Sequence, residues 1–160
     1  MRKHQLLIAA AVIALDRLTK WLVMQHLPLM QDFSIIPGFF QLSHWENTGA
    51  AFSLFADSAS HWRTAGLIAF SLSAVAIVSF FIWKSGERLT AVSVALSLVL
   101  GGALGNLWDR VAKGTVTDFL DFYVGTHHWP PFNVADSAIV VGALWLAWTM
   151  MRTSKPEAAN

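Results

Sequence analysis

Four of the chain's ten carboxylates are crowded into residues 109–136 of a sequence of 160 residues. They lie where apolar segments begin or end, at Asp109, Asp118, Asp121 and Asp136. Charge at the edge of a membrane segment is costly to keep unless it has a task. Two carboxylates brought together at low dielectric cannot both ionise easily, so such a pair can share one proton.

A pair of carboxylates that shares a proton can perform general acid–base chemistry on a carbonyl group. Asp118 and Asp136 are the candidates, because they belong to separate elements that would meet at one surface. One would take a proton from an attacking water while the other donates to the carbonyl oxygen. The competing interpretation of Asp136 is a helix cap, a role for which Asn133 also competes. Ser137 has no Lys or His neighbour in sequence that could activate it.

The composition excludes several other kinds of site. The chain has no cysteine, which excludes disulfides, thiolate catalysis, cysteine-ligated metals and lipidation on Cys. A net charge of +1 gives no electrostatic case for binding nucleic acid. His127 and His128 are adjacent, and adjacent residues rarely converge on one ion, so we expect no metal site there.

The amino-acid composition of the chain is typical of a protein embedded in lipid and not of a soluble protein. It is 13% charged, with a mean hydropathy of +0.50, whereas a soluble domain carries about a quarter charged residues. Four runs are long enough to span the hydrocarbon, at residues 6–24, 65–83, 89–108 and 134–151. We therefore predict one integral membrane domain over residues 1–160, all-α in class, with four transmembrane helices.

The first run also has features of a cleaved signal peptide, with a basic start and an apolar core. Asp16 and Arg17 interrupt it, however, and no clear cleavage signal follows, so we expect a permanent span. Basic residues favour a cytoplasmic side for both termini. Six would lie on that side, at Arg2, Lys3, Lys84, Arg88, Arg152 and Lys155, against three at Arg63, Arg110 and Lys113. Segments 25–64 and 109–133 are then expected outside.

The outer segment 25–64 is expected to contain a small β-rich subregion outside the membrane. Its apolar stretch 33–42 predicts short strands broken at Pro37 and Gly38. The apolar side chains of this stretch either pack over the helices or dip into the membrane surface. Asn47 and the small residues after it suit close approach to a substrate, or else a turn built on Asn and Gly.

Two polar groups suit a supporting role near the candidate pair. Asp16 and Lys20 are four apart on the first helix. They form either an internal ion pair or a tie that fixes this helix against a site. Asn106, Asp109 and Arg110 share one face if the third helix continues through them, and otherwise mark the water boundary.

The sequence leaves the element around Asp118 and Asp121 open. The two side chains share a face if the segment is helical and point to opposite faces if it is extended. Asp121 has no assigned role. Gly101 and Gly105, with Gly102 beside them, permit close contact between helices in lipid.

Five blocks of the sequence together resemble the bacterial lipoprotein signal peptidase family, also called signal peptidase II. The blocks are Asp16 with Lys20, Asn-Thr-Gly-Ala-Ala-Phe at 47–52, Gly-Asn-Leu-Trp-Asp-Arg at 105–110, Val-Thr-Asp-Phe at 116–119 and Phe-Asn-Val-Ala-Asp-Ser at 132–137. They occur in the family's order and cover nearly the whole chain. The resemblance implies an aspartic endopeptidase of the bacterial inner membrane. It would remove the signal peptide from diacylglyceryl-modified prolipoproteins, just before the lipidated cysteine.

The resemblance also implies roles for individual residues. Asp118 and Asp136 correspond to the catalytic pair. The positions that support substrate or catalytic geometry correspond to Asn47, Asn106, Asp109, Arg110, Asn133, Asp16 and Lys20. The implied partners are the prolipoprotein, membrane lipids and the cyclic peptide inhibitor globomycin, with no metal or other cofactor. The site would face the periplasm, and the sheet of stretch 33–42 would rest on the membrane.

Two other functions compete with this one. A small proton- or ion-coupled transporter subunit would use buried Asp and Lys side chains as a relay. A transporter does not need its acidic residues gathered at one face, however. A non-catalytic assembly protein would instead depend on the small-residue face around Gly105, and would tolerate Asp118→Asn.

Overall fold

A computed structural model of the chain describes residues 2–49 and 61–153. Residues 50–52, which close the second sequence block, and Lys155 lie outside the described residues. The described residues form four long helices and four strands. They are α1 (Lys3–His26), β1 (Asp32–Ile36), β2 (Phe40–Asn47), α2 (His61–Lys84), α3 (Ala91–Lys113), β3 (Val116–Val124), β4 (His127–His128) and α4 (Val134–Thr153).

Helix α3 is the central helix and packs against α1, α2 and α4. It begins at a capping box in which Thr90 and Ser93 each bond the other's backbone N–H with a side-chain oxygen. It ends at Gly114, whose φ of +78° is the left-handed conformation typical of a helix C-terminus. The helix therefore continues through Asp109 and Arg110, which is the first of the two alternatives for these residues.

In the part of the chain that the structure describes, three helices are long and apolar enough to cross a membrane. They are Trp62–Lys84, Ala91–Lys113 and Val134–Arg152. Helix α1 is long enough, but it carries Asp16, Arg17 and Lys20 in its middle. The fold is thus mostly helical, with three candidate membrane helices and a small sheet.

The four strands form one antiparallel sheet in the order β1-β2-β3-β4. The predicted break at residues 37–38 is confirmed, since β1 and β2 form a hairpin that turns there with Gly38 at a φ of +80°. The prediction that the sheet belongs to segment 25–64 was incomplete, because β3 and β4 come from the segment after α3. The stretch around Asp118 is therefore extended, not helical.

Apolar side chains on the β1–β2 hairpin remain exposed instead of packing over the helices. Their exposed fractions lie between 46% and 60% at Phe33, Ile35, Ile36 and Phe39. A run of such side chains is unfavourable in water and favourable against lipid. The second alternative for this stretch, contact with the membrane surface, is therefore the one that the burial pattern favours.

Glycines on α3 let its neighbours approach closely. A Cβ added at Gly102 would stand 2.3 Å from the backbone oxygen of Ala135 in α4, and one at Gly101 would stand 2.7 Å from Cβ of Val12 in α1. One at Gly105 would stand 2.9 Å from a carboxylate oxygen of Asp16. These small residues are thus used for contacts within the chain.

The substitution Gly102→Ala is expected to destabilise the protein, because the Cβ meets backbone that cannot move aside cheaply. Overpacking of this kind costs about 1–3 kcal/mol. Thermal unfolding in detergent is the measurement. The matched control is Gly66→Ala in α2, where no atom lies within 4 Å of the added Cβ. We expect that control to leave the unfolding temperature unchanged or raise it, and equal losses in both variants would contradict the packing described.

Candidate functional site

Asp118 and Asp136 belong to different elements, but their carboxylates contact the same residue, Asn133. Asp118 lies on β3 and is buried, while Asp136 is half-buried in the first turn of α4. Asn133, fully buried just before α4, contacts both. Its Nδ2 donates to Oδ1 of Asp118 at 2.7 Å, and its backbone N–H donates to Oδ2 of Asp136 at 3.2 Å. The structure thus brings the two carboxylates together through one shared neighbour.

Asp136 is both a helix cap and a member of this pair. Its backbone N–H donates to Oδ1 of Asn133 at 2.9 Å, so the two residues form a reciprocal capping box. The other carboxylate oxygen, Oδ1, accepts from Nδ2 of Asn106 at 2.7 Å. The capping alternative therefore does not compete with a role in the site, since each role uses a different oxygen.

Asn47 is oriented towards Asp118 by the turn that follows it. Its Oδ1 accepts from the backbone N–H of Gly49 at 2.7 Å. The amide nitrogen consequently faces the other way and donates to Oδ2 of Asp118 at 2.9 Å. The turn predicted at Asn47 is thus confirmed, and the same turn directs the amide nitrogen at the carboxylate of Asp118.

Asn106 is oriented by donors on its oxygen side. Its Oδ1 accepts from Nζ of Lys20 at 3.1 Å and from Nδ2 of Asn133 at 3.2 Å. An amide whose oxygen receives two donors must turn its nitrogen outward, and here that nitrogen meets Asp136. Lys20 thus acts on the carboxylate pair through a neutral amide.

Lys20 is the centre of a buried ion network. Its Nζ lies 2.8 Å from Oδ2 of Asp16 and 2.9 Å from Oδ2 of Asp109. Oδ1 of Asp16 accepts from the backbone N–H of Ala135 at 3.0 Å, at the positive end of the α4 dipole. The network therefore ties α1 to α3 and to the start of α4, which supports the predicted role of the Asp16–Lys20 pair as a tie.

Arg17 belongs to the site but was missed from the sequence. It pairs with Oδ1 of Asp109, so both oxygens of that carboxylate face cations of α1. The sequence did contain a signal. The middle of this apolar helix carries two cations, Arg17 and Lys20, but one carboxylate, Asp16, so one cation needs a partner on another element. Arg110, expected on the same face, instead reaches α2, with its Nη1 at 3.5 Å from Oγ of Ser71.

Asp121 has a structural environment that the sequence did not predict. The carboxylate is buried and accepts from Nε2 of Gln41 at 2.7 Å, from Oγ of Ser43 at 3.2 Å, and lies 2.9 Å from Nδ1 of His128. These contacts join β2, β3 and β4. None of these partners is a hydrogen-bond partner of Asp118, so the two aspartates of β3 are held by different side chains.

An open cavity of about 560 Å³ lies beside the sheet and reaches Asp118. Its lining consists mostly of polar and aromatic side chains from β1, β2, β3 and the segment before α4: Asp32, Gln41, Trp45, Glu46, Asn47, Asp118, Asp121, His128, Pro130 and Pro131. A cavity of this size accommodates a short stretch of polypeptide. It gives such a chain access to Asp118 from the side of the sheet.

Burial raises the pKa of Asp118 to about 6. The charge of Asp136 acts in the same direction, while hydrogen bonds from Asn47 and Asn133 and the charge of Lys20 oppose the rise. A carboxyl with such a pKa can hold or release a proton near neutral pH. This is the property required of one member of a proton-sharing pair.

Comparison with known sequences shows similarity over almost the whole chain. The family model described as "Signal peptidase (SPase) II" matches residues 8–152. A "Lipoprotein signal peptidase" of Solibacter usitatus is 48% identical over 154 residues, which cover 96% of this chain and 93% of that protein. Another, of Geobacter metallireducens, is 41% identical over 154 residues, covering 96% and 94%.

Comparison with solved structures shows the same fold. A structure described as "Bacterial membrane enzyme structure by the in meso method at 2.3 A resolution" superposes with a TM-score of 0.83. It is 28% identical in sequence, and the match covers 99% of this chain and 94% of that one. The sheet and the long helices described above are therefore shared with a membrane enzyme.

The substitution Asp118→Asn tests the raised pKa through stability. A carboxyl whose folded pKa exceeds its unfolded value stabilises the protein below the unfolded pKa, and this contribution is lost as the pH rises through about 6. Relative to the variant, the natural protein should lose up to about 3 kcal/mol of stability between about pH 3 and pH 8.

The measurement is thermal unfolding of both proteins in detergent across that pH range. The hydrogen bonds from Asn47 and Asn133 favour the ionised form of Asp118, and their effect is already contained in its raised pKa. A difference in stability that stays constant with pH, or grows in favour of the natural protein as the pH rises, would contradict the raised pKa.

Proposed function

The chain belongs to the signal peptidase II family, and we propose that it is an aspartic endopeptidase that removes signal peptides from diacylglyceryl-modified prolipoproteins. Cleavage takes place just before the lipidated cysteine, at the outer face of the inner membrane. The observation that carries the proposal is the pair Asp118 and Asp136, joined by Asn133 and supported by amide hydrogen bonds.

The pair is suited to general acid–base hydrolysis. The ionised carboxylate takes a proton from a water molecule whose oxygen forms a bond to the scissile carbonyl carbon. The protonated carboxyl donates its proton to the carbonyl oxygen, and together these transfers give a neutral tetrahedral intermediate. When the C–N bond breaks, the protonated carboxyl gives its proton to the leaving nitrogen, while the ionised carboxylate takes a proton from a hydroxyl of the intermediate, which becomes the product carboxylic acid. The pair is then left with one shared proton again. The two carboxyls titrate as a unit in this scheme.

The character of the hydrogen-bond donors supports the sharing of a proton. Among the described residues, the side-chain donors to Asp118 and Asp136 are the neutral amides of Asn47, Asn106 and Asn133. A cation in direct contact would favour full ionisation of both carboxylates. Lys20 stands one amide further away, so it supports the geometry without neutralising the pair directly.

The position of the cavity suits a substrate that stays in the bilayer. The cavity is lined by residues of the sheet and reaches Asp118. Asp118 follows shortly after the end of α3, one of the helices apolar enough to cross a membrane, at the boundary between helix and sheet. A signal helix in the membrane would place its cleavage point near this boundary, while the exposed apolar side chains of β1 rest on the lipid. A globomycin-type cyclic peptide would compete for the same cavity.

Helix α1 completes four spans in this proposal, with both termini in the cytoplasm. Its charged residues Asp16, Arg17 and Lys20 all have partners inside the protein. Paired charges that face the interior of a helix bundle are compatible with a membrane span. The helices and the sheet then form one peptidase domain over residues 1–160.

The direct test is cleavage of a diacylglyceryl-modified prolipoprotein by the purified protein in detergent or liposomes. Asp118→Asn and Asp136→Asn are each expected to lower the rate by about 10³-fold or more, because either change removes one partner of the proton transfer. Glu87→Gln, in the connection between α2 and α3, is the control and should keep the natural rate. Thermal unfolding shows whether each variant is folded.

Full activity in a folded Asp118→Asn or Asp136→Asn protein would refute the aspartic mechanism. If the natural protein cleaved no prolipoprotein, and if its assembly were disrupted by Gly105→Leu but not by Asp118→Asn, the result would favour the assembly function instead. Loss of activity in both aspartate variants, each of which still unfolds in a cooperative transition, is the result that we expect.

The orientation can be tested because the chain has no cysteine of its own. Single cysteines are introduced as Ser34→Cys, on β1, and Glu87→Cys, between α2 and α3; both positions are exposed. A membrane-impermeant maleimide applied to intact spheroplasts should label the first, and should label the second only after the membrane is broken. The opposite pattern would overturn the orientation proposed.

A further inference from the structure

The amide of Asn47 that donates to Asp118 stands at the end of a very short piece of paired strand. The register of β2 on β3 is regular up to Leu42, shifts, and resumes at Trp45. The pairing then ends at Asn47, opposite Val116. Such a shift of register marks a β-bulge. The strand pairing before the bulge therefore fixes the register of the residues after it less firmly.

Of the two residues inside this bulge, the second, His44, is held by another part of the chain. The backbone N–H of His44 donates to the oxygen of Gln31, and the oxygen of His44 accepts from the N–H of Met30. Neither bond goes to β3. The three residues 45–47 therefore need a further constraint to keep their register, because a slip by one residue would turn Asn47 to the other face of the sheet.

Glu46 supplies a cluster of contacts at this point, which we call the Glu46 clasp. Its Oε1 accepts from Nζ of Lys113 at 2.9 Å and from Oγ1 of Thr117 at 2.9 Å. Its Oε2 accepts from Oγ1 of Thr115, and Lys113 also donates to Thr117. One carboxylate thus joins β2 to the end of α3, to the α3–β3 connection and to β3.

The clasp lies next to both partners of the hydrogen bond that it would control. Glu46 directly precedes Asn47, and Thr117, which is fully buried and paired with Glu46 across the strands, directly precedes Asp118. We propose that Glu46 is a positioning residue that holds β2 in register on β3, so that the amide of Asn47 stays on Asp118. This inference rests on the proposed role of Asp118 in the reacting pair.

The charges around the two carboxylates determine the sign of the test. Asp136 of α4 and Lys20 of α1 face Asp118, and Lys113 of α3 and Nε2 of His44, at 3.7 Å, face Glu46. Burial would raise the pKa of Glu46, but hydrogen bonds from Thr115, Lys113 and Thr117 outweigh it and hold that pKa below its usual value. Glu46 is therefore ionised at neutral pH.

A positioning role and a purely electrostatic role predict opposite changes in the pKa of Asp118 when Glu46 is removed. Loss of a nearby negative charge by itself lowers the pKa of Asp118. Release of the Asn47 amide raises it, because that hydrogen bond stabilises the ionised form. The direction of the change therefore separates a positioning residue from a simple neighbouring charge.

The first experiment measures the pKa of Asp118 without catalysis. The carboxyl ¹³C signal of labelled aspartate is followed against pH in micelles and assigned with Asp118→Asn. In Glu46→Ala we expect the pKa to rise by about one pH unit, as in Asn47→Ala. The double variant should show no further rise, because both changes remove the same hydrogen bond.

The conservative variant Glu46→Gln should restore most of the natural value. Its amide oxygen can still accept from Thr117 and Lys113, and its nitrogen can donate to the hydroxyl of Thr115. Thr90→Ala is the control for general loss of stability, since it removes the cap at the far end of α3. That variant should lower the unfolding temperature and leave the pKa of Asp118 unchanged.

The second experiment is the pH profile of cleavage. Glu46→Ala should move the alkaline limb of kcat/KM upward by the same amount and lower kcat about tenfold, with KM changed less than about twofold. An Asp118 pKa that stays or falls in Glu46→Ala, or a further rise in the double variant, would overturn the positioning role. Failure of the natural protein to cleave any prolipoprotein would sink the proposed function, while the titration would still decide the role of Glu46.

Discussion

One buried ammonium group, that of Lys20, is the charge on which the rest of the site depends. It is fully buried and is surrounded by Asp16, Asp109 and Asn106, which come from α1 and α3. A buried charge is tolerated only when it is paired and hydrogen-bonded. The helices must therefore pack in the one arrangement that satisfies it, and Asp16 extends that constraint to the N-terminus of α4 through Ala135.

The constraint reaches the carboxylate pair through amides. Lys20 fixes the oxygen of Asn106, whose nitrogen then faces Asp136, and Asn133 links that residue to Asp118. Every step uses the fact that an amide has one accepting and one donating end. A cation can thus determine the orientation of both carboxylates while it stays out of direct contact with them, which leaves the pair free to share a proton.

The sequence predicted the parts of this arrangement that depend on local patterns. Hydropathy located the helices, the spacing of Asp16 and Lys20 predicted their contact, and the residues at 37–38 predicted the hairpin turn. It did not predict β3, because that strand is buried on both faces from Val116 to Phe119 and so shows no alternation. It also missed the pairing of Arg17 with a residue 92 positions away, since such a contact exists only after α1 and α3 have packed.

The central claim is that this framework holds Asp118 and Asp136 close enough to act on one water molecule. The most direct measurement is the separation of their carboxylate oxygens in an experimental structure with ordered water. The account predicts that one water hydrogen-bonds both carboxylates, which requires their nearest oxygens to lie within about 5.5 Å of each other. A wider gap that persists when a substrate analogue is bound would contradict it.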